Sequence, residues 1–478
     1  MNQVRTRFAP SPTGYLHVGG IRTALFAFLL ARQNKGSFIL RFEDTDQKRE
    51  VSGARQHLIK SLKTLGLNYD EGPDIGGPYA PYVQSERLNS YRKWAEKLIS
   101  SGRAYADPLS PAELNELRQN ALKKRQAFLY RNHRPAQPPV WDGSMPLRFK
   151  SDPKPYDWQD AVMGNRHSGP ESIDDFILIK SDGYPTYNFA HIIDDTEMKI
   201  SHVLRGQEFL PSIPNYLNLY EALDLTPPVM ATLPHVLGPS GQKKLSKRDG
   251  AKDVLDYIKD GYLPAALISF IATLGWNDGS EQEIFTLNEL IDKFKLARVQ
   301  KSGAKFDLNR LNWINGSLIR KLPLDDLYSQ AKNYWPAEAD ACDETYKKQV
   351  LKLVHDRLKY LAELPELTGF FFTDSPPRLE LVKSKQLKNT DNNEQIKLLE
   401  AARRKLDTSD FSETDLTVKL NELLTETGQK PAVLFSLIRV AATNAPFSPG
   451  LSETLAVLGK TRSINRLDNW LRALYKTN

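Results

Sequence analysis

A histidine, two adjacent glycines and, far downstream, two lysines around a serine are residue types that suit phosphate chemistry. His17 lies in FAPSPTGYLHVGG (8–20), just ahead of Gly19, Gly20 and the Ala-, Leu- and Phe-rich stretch Arg22–Arg32. A donor placed there joins the free backbone N–H groups and the dipole of a helix start, which already favour an anion. Lys244, Ser246 and Lys247 lie in KLSKR (244–248), flanked by Gly241 and Gly250. Lysines on such a loop act as movable point charges, and the serine adds a hydrogen bond. Neither segment is a common nucleotide fingerprint: G-x-G-x-x-G is absent, and GPSGQKK (238–244) lacks Walker A spacing. Taken singly, the glycines also fit a tight strand-to-helix turn and the pentad a solvated basic turn.

The flanking patterns say what must hold these residues. Val4–Ala9 reads as a strand, Arg22–Arg32 as a helix and Ser37–Phe42 as a second strand, the order of a βαβ unit. The loop with His17 then lies at the C-terminal edge of a parallel sheet, where open α/β folds bind ligands. From Pro108 to Pro139 prolines punctuate a basic helix, Pro111–Gln126, which reads as an insertion. Strand-like apolar runs resume at Asp175–Lys180, Thr186–Ile193 and His202–Leu204, and Thr186–Ile193 is expected to share a sheet with Phe38–Phe42. Beyond Gly250 the pattern is helical, as in Leu263–Leu274 and Leu416–Leu424, while Lys383–Glu394 is polar enough for a mobile linker. The fold class is α/β, a Rossmann-like parallel-sheet domain with an insertion, followed by an all-α C-terminal half.

Composition narrows the class of function. A chain of 478 residues implies about two to four domains. The single cysteine, Cys342, excludes a disulfide framework and a Cys-rich zinc site. No apolar run is long enough to span a membrane. With Met1 so close to the first strand, a cytoplasmic or matrix compartment is expected. A net charge of +7 and a pI near 9.0 mildly favour a polyanionic partner such as nucleic acid.

Read together and in this order, PTGYLHVG (12–19) and KLSKR (244–248) resemble the two signature sequences of class I aminoacyl-tRNA synthetases, HIGH and KMSKS. Further segments resemble the glutamyl-tRNA synthetase family of bacterial or organellar type: RFAPSPTG (7–14), RFEDTD (41–46), DGYPTYNFA (182–190), DD (194–195), HVLRG (202–206) and KFDLNRLNWIN (305–315). The resemblance implies a catalytic domain over 1–104 and 186–250, an acceptor-end-binding insertion at 105–185, a stem-contact region at 251–316 and helical anticodon-binding domains at 317–478. It implies ATP with Mg2+ as substrate, tRNA and L-glutamate as partners, and a cytoplasmic monomer without structural zinc. Ala104–Pro108 lacks the thiolates of the zinc site found in some members.

The same resemblance places Arg7, Ala9, Ser11, Glu43, Tyr187, His191 and Arg205 at the amino acid, with Arg205 on the side-chain carboxylate. The chemistry agrees, because a dicarboxylate needs two separated cations and an acceptor for its ammonium, and arginine is the residue for bidentate carboxylate binding. His17, Gly19, Glu208, Val236, Lys244, Ser246 and Lys247 fall at ATP, with His17, Lys244 and Lys247 as the catalytic cations and donors. Three features depart from the family pattern. Gln207 replaces an acidic residue, His191 stands where Asn or an aliphatic is common, and Pro234–Leu237 (PHVL) replaces a wholly aliphatic wall. In LIRVAATNAPFSPGL (437–451), Arg439, Ser448, Pro449 and Leu451 match anticodon contacts, and Arg357 matches the reader of the third anticodon base. Glutaminyl-tRNA synthetase shares the catalytic domain but uses β-barrels for the anticodon, and a non-catalytic paralogue would keep only the fold.

Overall fold

The computed structural model describes residues 3–246, 252–384 and 386–477. The chain forms two units, Met1–Ile258 with Pro264–Leu311, and Lys259–Leu263 with Asn312–Asn478. In the first, strand β1 (Arg5–Phe8) leads through helix α1 (Val18–Gln33) to strand β2 (Ser37–Leu40), which runs parallel to β1 with Arg7 opposite Ile39. Helix α1 buries Ile21, Leu25, Phe26 and Leu29 on several faces, as a helix enclosed by its own unit must. Helices α2 (Ala54–Thr64) and α3 (Leu88–Ser100) follow.

The insertion contains β3 (Ala104–Ala106), helix α4 (Pro111–Lys123), β4 (Leu147–Phe149), a hairpin of β5 (Tyr156–Asp160) and β6 (Gly164–Ser168), and β7 (Ile177–Ile179). Helix α4 starts where the sequence sets a full signal, with Ser110 and Glu113 forming a capping box around Pro111. β3, β4 and β7 make an antiparallel sheet of their own. The chain then passes through helix α5 (Tyr187–Glu197), β8 (His202–Gly206), helix α6 (Ile213–Ala222) and β9 (Val229–Leu233). β8 and β9 are parallel, and β5 joins β9 at Asp160 opposite Met230.

β8 lies beside β1, where the Ser201 N–H donates to the Arg5 carbonyl at 2.9 Å and the Arg5 N–H to Ser201 Oγ at 2.8 Å. β1–β2 and β6–β5–β9–β8 are separate hydrogen-bonded sheets that meet here, so the chain leaves β1 for β2 on one side and returns as β8 on the other. That reversal is a topological switch point, and the crevice beyond the ends of β1 and β8 is where such sheets bind ligands.

Two strand expectations are corrected. Thr186–Ile193 is no strand and shares no sheet with Phe38–Phe42: Thr186 precedes α5, whose apolar residues Phe189, Ala190, Ile192 and Ile193 are buried at helical spacing. Asp175–Lys180 holds a strand, β7, but that strand pairs with β4 of the insertion instead of resuming the parallel sheet.

The described residues of the second unit form helices without a strand, among them Glu344–Val354, Asn392–Asp407, Glu413–Thr427, Pro431–Thr443, Leu451–Leu458 and Lys460–Tyr475. Leu399, Leu416, Leu434, Leu455 and Trp470 meet in one core. Lys383–Glu394 is expected as a mobile linker, but its described residues pack Leu387 into that core and start the Asn392 helix under an Asp391 cap, so those residues are built structure.

Candidate active site

The β1–α1 loop, the end of β8 and the hairpin after β9 enclose a cavity of about 800 Å3 at the switch point. Arg7, Ala9, Ser11, His17, Gly19, Glu43, Tyr187, Arg205, Glu208, Val236 and Lys244 line it. His191 and Ser246 do not line it, and Lys247 lies outside the described residues.

His17 is the N-cap of α1, its Nδ1 accepting from the Gly20 N–H at 3.4 Å. Accepting at Nδ1 leaves Nε2 as the N–H of the neutral ring. Added methyl groups show how tightly the turn is drawn. A Cβ on Gly20 would stand 2.8 Å from Leu16 Cδ1, and one on Gly19 3.2 Å from the His17 ring. Lys244 is brought in by a short hairpin in which Leu237 bridges Lys244, the Leu245 N–H donates to the Val236 carbonyl at 2.8 Å, and Gly241 takes φ +74°. Its ammonium lies 3.2 Å from Glu208 Oε1, a half-exposed pair worth little by itself but enough to show the reach.

Beneath the cavity is a charge network that sequence reading missed. Asp195 on α5 pairs with Arg7 at 3.0 Å and with Arg41 at 2.8 Å, and Arg41 also donates to Glu43 Oε1 at 2.8 Å. Asp194 accepts from Arg87 at 2.7 Å and Gln84 at 2.8 Å, and from the Tyr91 hydroxyl. Burial pushes the Asp195 carboxyl up, but Arg7 and Arg41 outweigh it and hold the group well below the usual carboxylate range. For Glu43 burial wins over Arg41 and Arg7, and its pKa is raised. Buried charges persist only when compensated in this way. The RFEDTD and DD segments signalled that carboxylates gather here; nothing in them gave their partners.

Arg22, on α1, was also missed. Its guanidinium is buried, lines the cavity and donates to the carbonyls of Pro234 and Leu274, the latter at 3.1 Å. Burial pushes it down to about 10, with Glu208 opposing. It fixes the wall at Pro234–Val236, the segment that departs from the aliphatic pattern.

Arg205 differs from Arg7. It is only 6 % exposed, yet among the described residues no carboxylate lies within ion-pair distance of it. Its guanidinium sits 4.7 Å from the centre of the Tyr216 ring and donates to His191 Nε2 at 3.4 Å. His191 in turn donates from Nδ1 to the Tyr187 carbonyl at 2.7 Å and stacks on the Tyr187 ring at 4.7 Å. It therefore supports Arg205 and Tyr187 from behind.

Burial, reinforced by Arg205, pushes His191 down to about 3. Such a histidine binds its proton more weakly folded than unfolded, so between pH 6.5 and about 3 the unfolded chain holds more protons and stability falls as pH falls. His191→Gln is expected to flatten this limb by up to about 1.4 kcal/mol per pH unit. Urea midpoints at three pH values in the window check it; equal slopes in variant and parent would contradict the assignment.

In the second unit Arg357 donates to the Ser448 carbonyl at 2.9 Å, and Arg439 Nε donates to Ser448 Oγ at 3.0 Å. Ser448, Pro449 and Leu451 are themselves buried. The loop thus gathers the matched positions, with Ser448 holding two arginines together.

Residues 3–313 match the family described as class I tRNA synthetases (E and Q), catalytic domain, and residues 326–471 match an anticodon binding domain. With its switch-point cavity and helical second unit, the chain is a class I aminoacyl-tRNA synthetase. A glutamate–tRNA ligase of Dehalococcoides mccartyi is 41 % identical across 98 % of this chain and 96 % of its own, and one of Clostridium botulinum is 40 % identical across 98 % and 97 %. The crystal structure of a glutamate tRNA ligase from Elizabethkingia meningosepticum, in complex with its amino acid, matches with a TM-score of 0.87 at 30 % identity, covering 99 % of this chain and 100 % of that one. This chain belongs to the glutamate–tRNA ligase family. The absence of strands among the described residues of its second unit also sets it apart from the β-barrel arrangement expected of a glutaminyl enzyme. No described helix is long and apolar enough to cross a membrane.

Proposed function

We propose that the chain attaches L-glutamate to the glutamate tRNA through a glutamyl-adenylate. The observation that carries the amino-acid assignment is Arg205, a buried guanidinium facing a cavity without a carboxylate partner among the described residues. An uncompensated buried cation is costly, and a bound carboxylate removes that cost. Arg205 takes the side-chain carboxylate, stacked on Tyr216 and backed by His191. Glu43 accepts from the substrate ammonium, and Arg7, Ala9, Ser11 and Tyr187 complete the pocket.

The substrate α-carboxylate attacks the α-phosphorus of ATP, forming the mixed anhydride as the bond to pyrophosphate breaks. Charge develops on the phosphates, so preorganised donors and cations supply most of the acceleration. His17 and the backbone at Gly19 serve the phosphates from the helix start, and Lys244 serves the leaving group, a role the signature resemblance extends to Ser246 and Lys247. Glu208 and Val236 bound the nucleotide. Mg2+ enters with ATP as part of the substrate. A terminal ribose hydroxyl of tRNA then attacks the activated carbonyl and AMP leaves.

The insertion 105–185 receives the acceptor end, 251–316 contacts the stem, and 317–478 reads the anticodon through Arg357, Arg439 and the 448–451 loop. We place the enzyme in the cytoplasm as a monomer that needs no zinc; among the described residues no three His, Cys, Asp or Glu side chains form a metal-holding group.

Charging of purified glutamate and glutamine tRNAs with labelled glutamate, side by side, tests the reading. The glutamate tRNA is expected to be charged and strongly preferred. Arg357→Gln is expected to narrow that preference by about 1–3 kcal/mol, the worth of one good base contact. Charging of neither tRNA would overturn the function, while an unchanged preference in the variant would remove Arg357 alone as a reader.

A further inference from the structure

Phe447 is 79 % exposed, the most exposed aromatic side chain among the described residues. Isolated surface apolar residues are ordinary. This one stands on a loop that is fixed from several sides. Pro446 precedes it and Ser448–Pro449 follow, both buried. Ser448 is held by Arg357 and Arg439 as described above, and its hydroxyl donates to the Pro449 carbonyl at 2.9 Å. At the other end of the loop Asn444 takes φ +54° and ties the chain down three times. Its side-chain amide donates to Ser375 Oγ at 2.8 Å and to the Pro376 carbonyl at 2.7 Å, and its Oδ1 accepts from the Arg378 N–H at 2.9 Å. The ring is thus held out by a braced loop, so ordering it on binding costs little.

The charge around it points to one kind of occupant. Among the described residues neither Arg357 nor Arg439 has a carboxylate within ion-pair distance, and burial together with the charge of Arg357 lowers the pKa of Arg439. Two adjacent guanidiniums without a carboxylate, Arg439 half-buried and Arg357 exposed, favour an anion, and an exposed ring on the loop they hold favours a flat apolar partner. A single-stranded nucleotide supplies both, a phosphate and a base face.

We infer that Phe447 is a stacking platform for one unpaired base of the tRNA anticodon loop, a contact separate from the hydrogen-bonding readers Arg357 and Arg439. The inference rests on the reading of this loop as the anticodon site.

Binding of an unmodified glutamate tRNA transcript by the full-length enzyme, followed at equilibrium, tests it. Phe447→Ala is expected to weaken binding about 10- to 100-fold, the usual range for losing one base from an aromatic ring. Phe447→Trp is expected to bind at least as tightly as the parent, and Phe447→Leu to bind like the alanine variant. Repeating the measurement with transcripts carrying one abasic nucleotide at successive anticodon-loop positions identifies the base. At one position the parent and Phe447→Ala should bind equally, because the stacked partner is already gone.

Parent-like binding by Phe447→Ala or Phe447→Leu, or a loss of similar size at every abasic position, would overturn the stacking role. Arg439→Ala separates the two readings. If it weakens binding while Phe447→Ala does not, the anticodon site stands and only the platform falls; if neither matters, the loop is not the anticodon site.

Discussion

Arg205→Ala is expected to raise the KM for glutamate by roughly 30- to 5,000-fold, from the about 2–5 kcal/mol lost when a desolvated charge pair loses one partner. The size follows from the surroundings of the guanidinium. It is buried, cushioned by Tyr216, and within the described residues its one hydrogen-bond acceptor is His191 Nε2. Removing it leaves Arg7, the other guanidinium assigned to the amino acid, which is committed to Asp195. Arg205→Lys should recover little, because an ammonium reproduces neither the fork nor the stacking. The KM for ATP should stay close to the parent value, and steady-state charging with each substrate varied in turn checks both. An unchanged glutamate KM would mean that another residue reads the side chain.

His17→Ala is expected to lower kcat about 10²-fold or more with little change in glutamate binding, as for a donor that meets charge developing in the transition state. Two effects are mixed in that variant, because His17 also caps α1, and losing a cap costs about 1 kcal/mol of stability. His17→Asn separates them. Asparagine is a good cap, so the thermal midpoint should return while kcat stays low. A turnover near the parent's in either variant would refute the role, and recovery of kcat by asparagine would make capping the whole effect.

Much of this was legible in the sequence where the signal is local. β1, α1 and β2 follow hydrophobic period, and the helix start at His17 follows from the glycines behind it. Arg7, Glu43 and Arg205 converge because each ends or follows a strand of one parallel arrangement. What failed did so where local pattern and tertiary context disagree. Thr186–Ile193 carries the aromatic and β-branched residues of a strand, and the helix there is held by burial of Phe189, Ile192 and Ile193 on one side and by the Asp194 and Asp195 pairs on the other. The β5–β6 hairpin went unnoticed because its strands, YDWQD and GNRHS, are mostly polar and alternate between half-buried and exposed with little apolar face. Arg41 and Asp195 belong to quoted motifs, but their meeting spans 154 positions of chain, and no spacing rule reaches that far. Arg22 looked like any helical arginine until its carbonyl partners were seen.

Helix α5 places cavity-lining and supporting groups on consecutive turns: Tyr187 at the cavity, His191 beneath it, then Asp194 and Asp195 neutralising arginines from β1 and beyond. The pocket proposed for glutamate is therefore portable only as a block. An engineer wishing to admit a different amino acid would gain little from editing Arg205 or Tyr187 singly, because each new side chain inherits the His191 support fitted to the old one. Exchanging Tyr187–Glu197 together with Arg7, Arg41 and Arg205 moves recogniser and foundation as one heritable cassette.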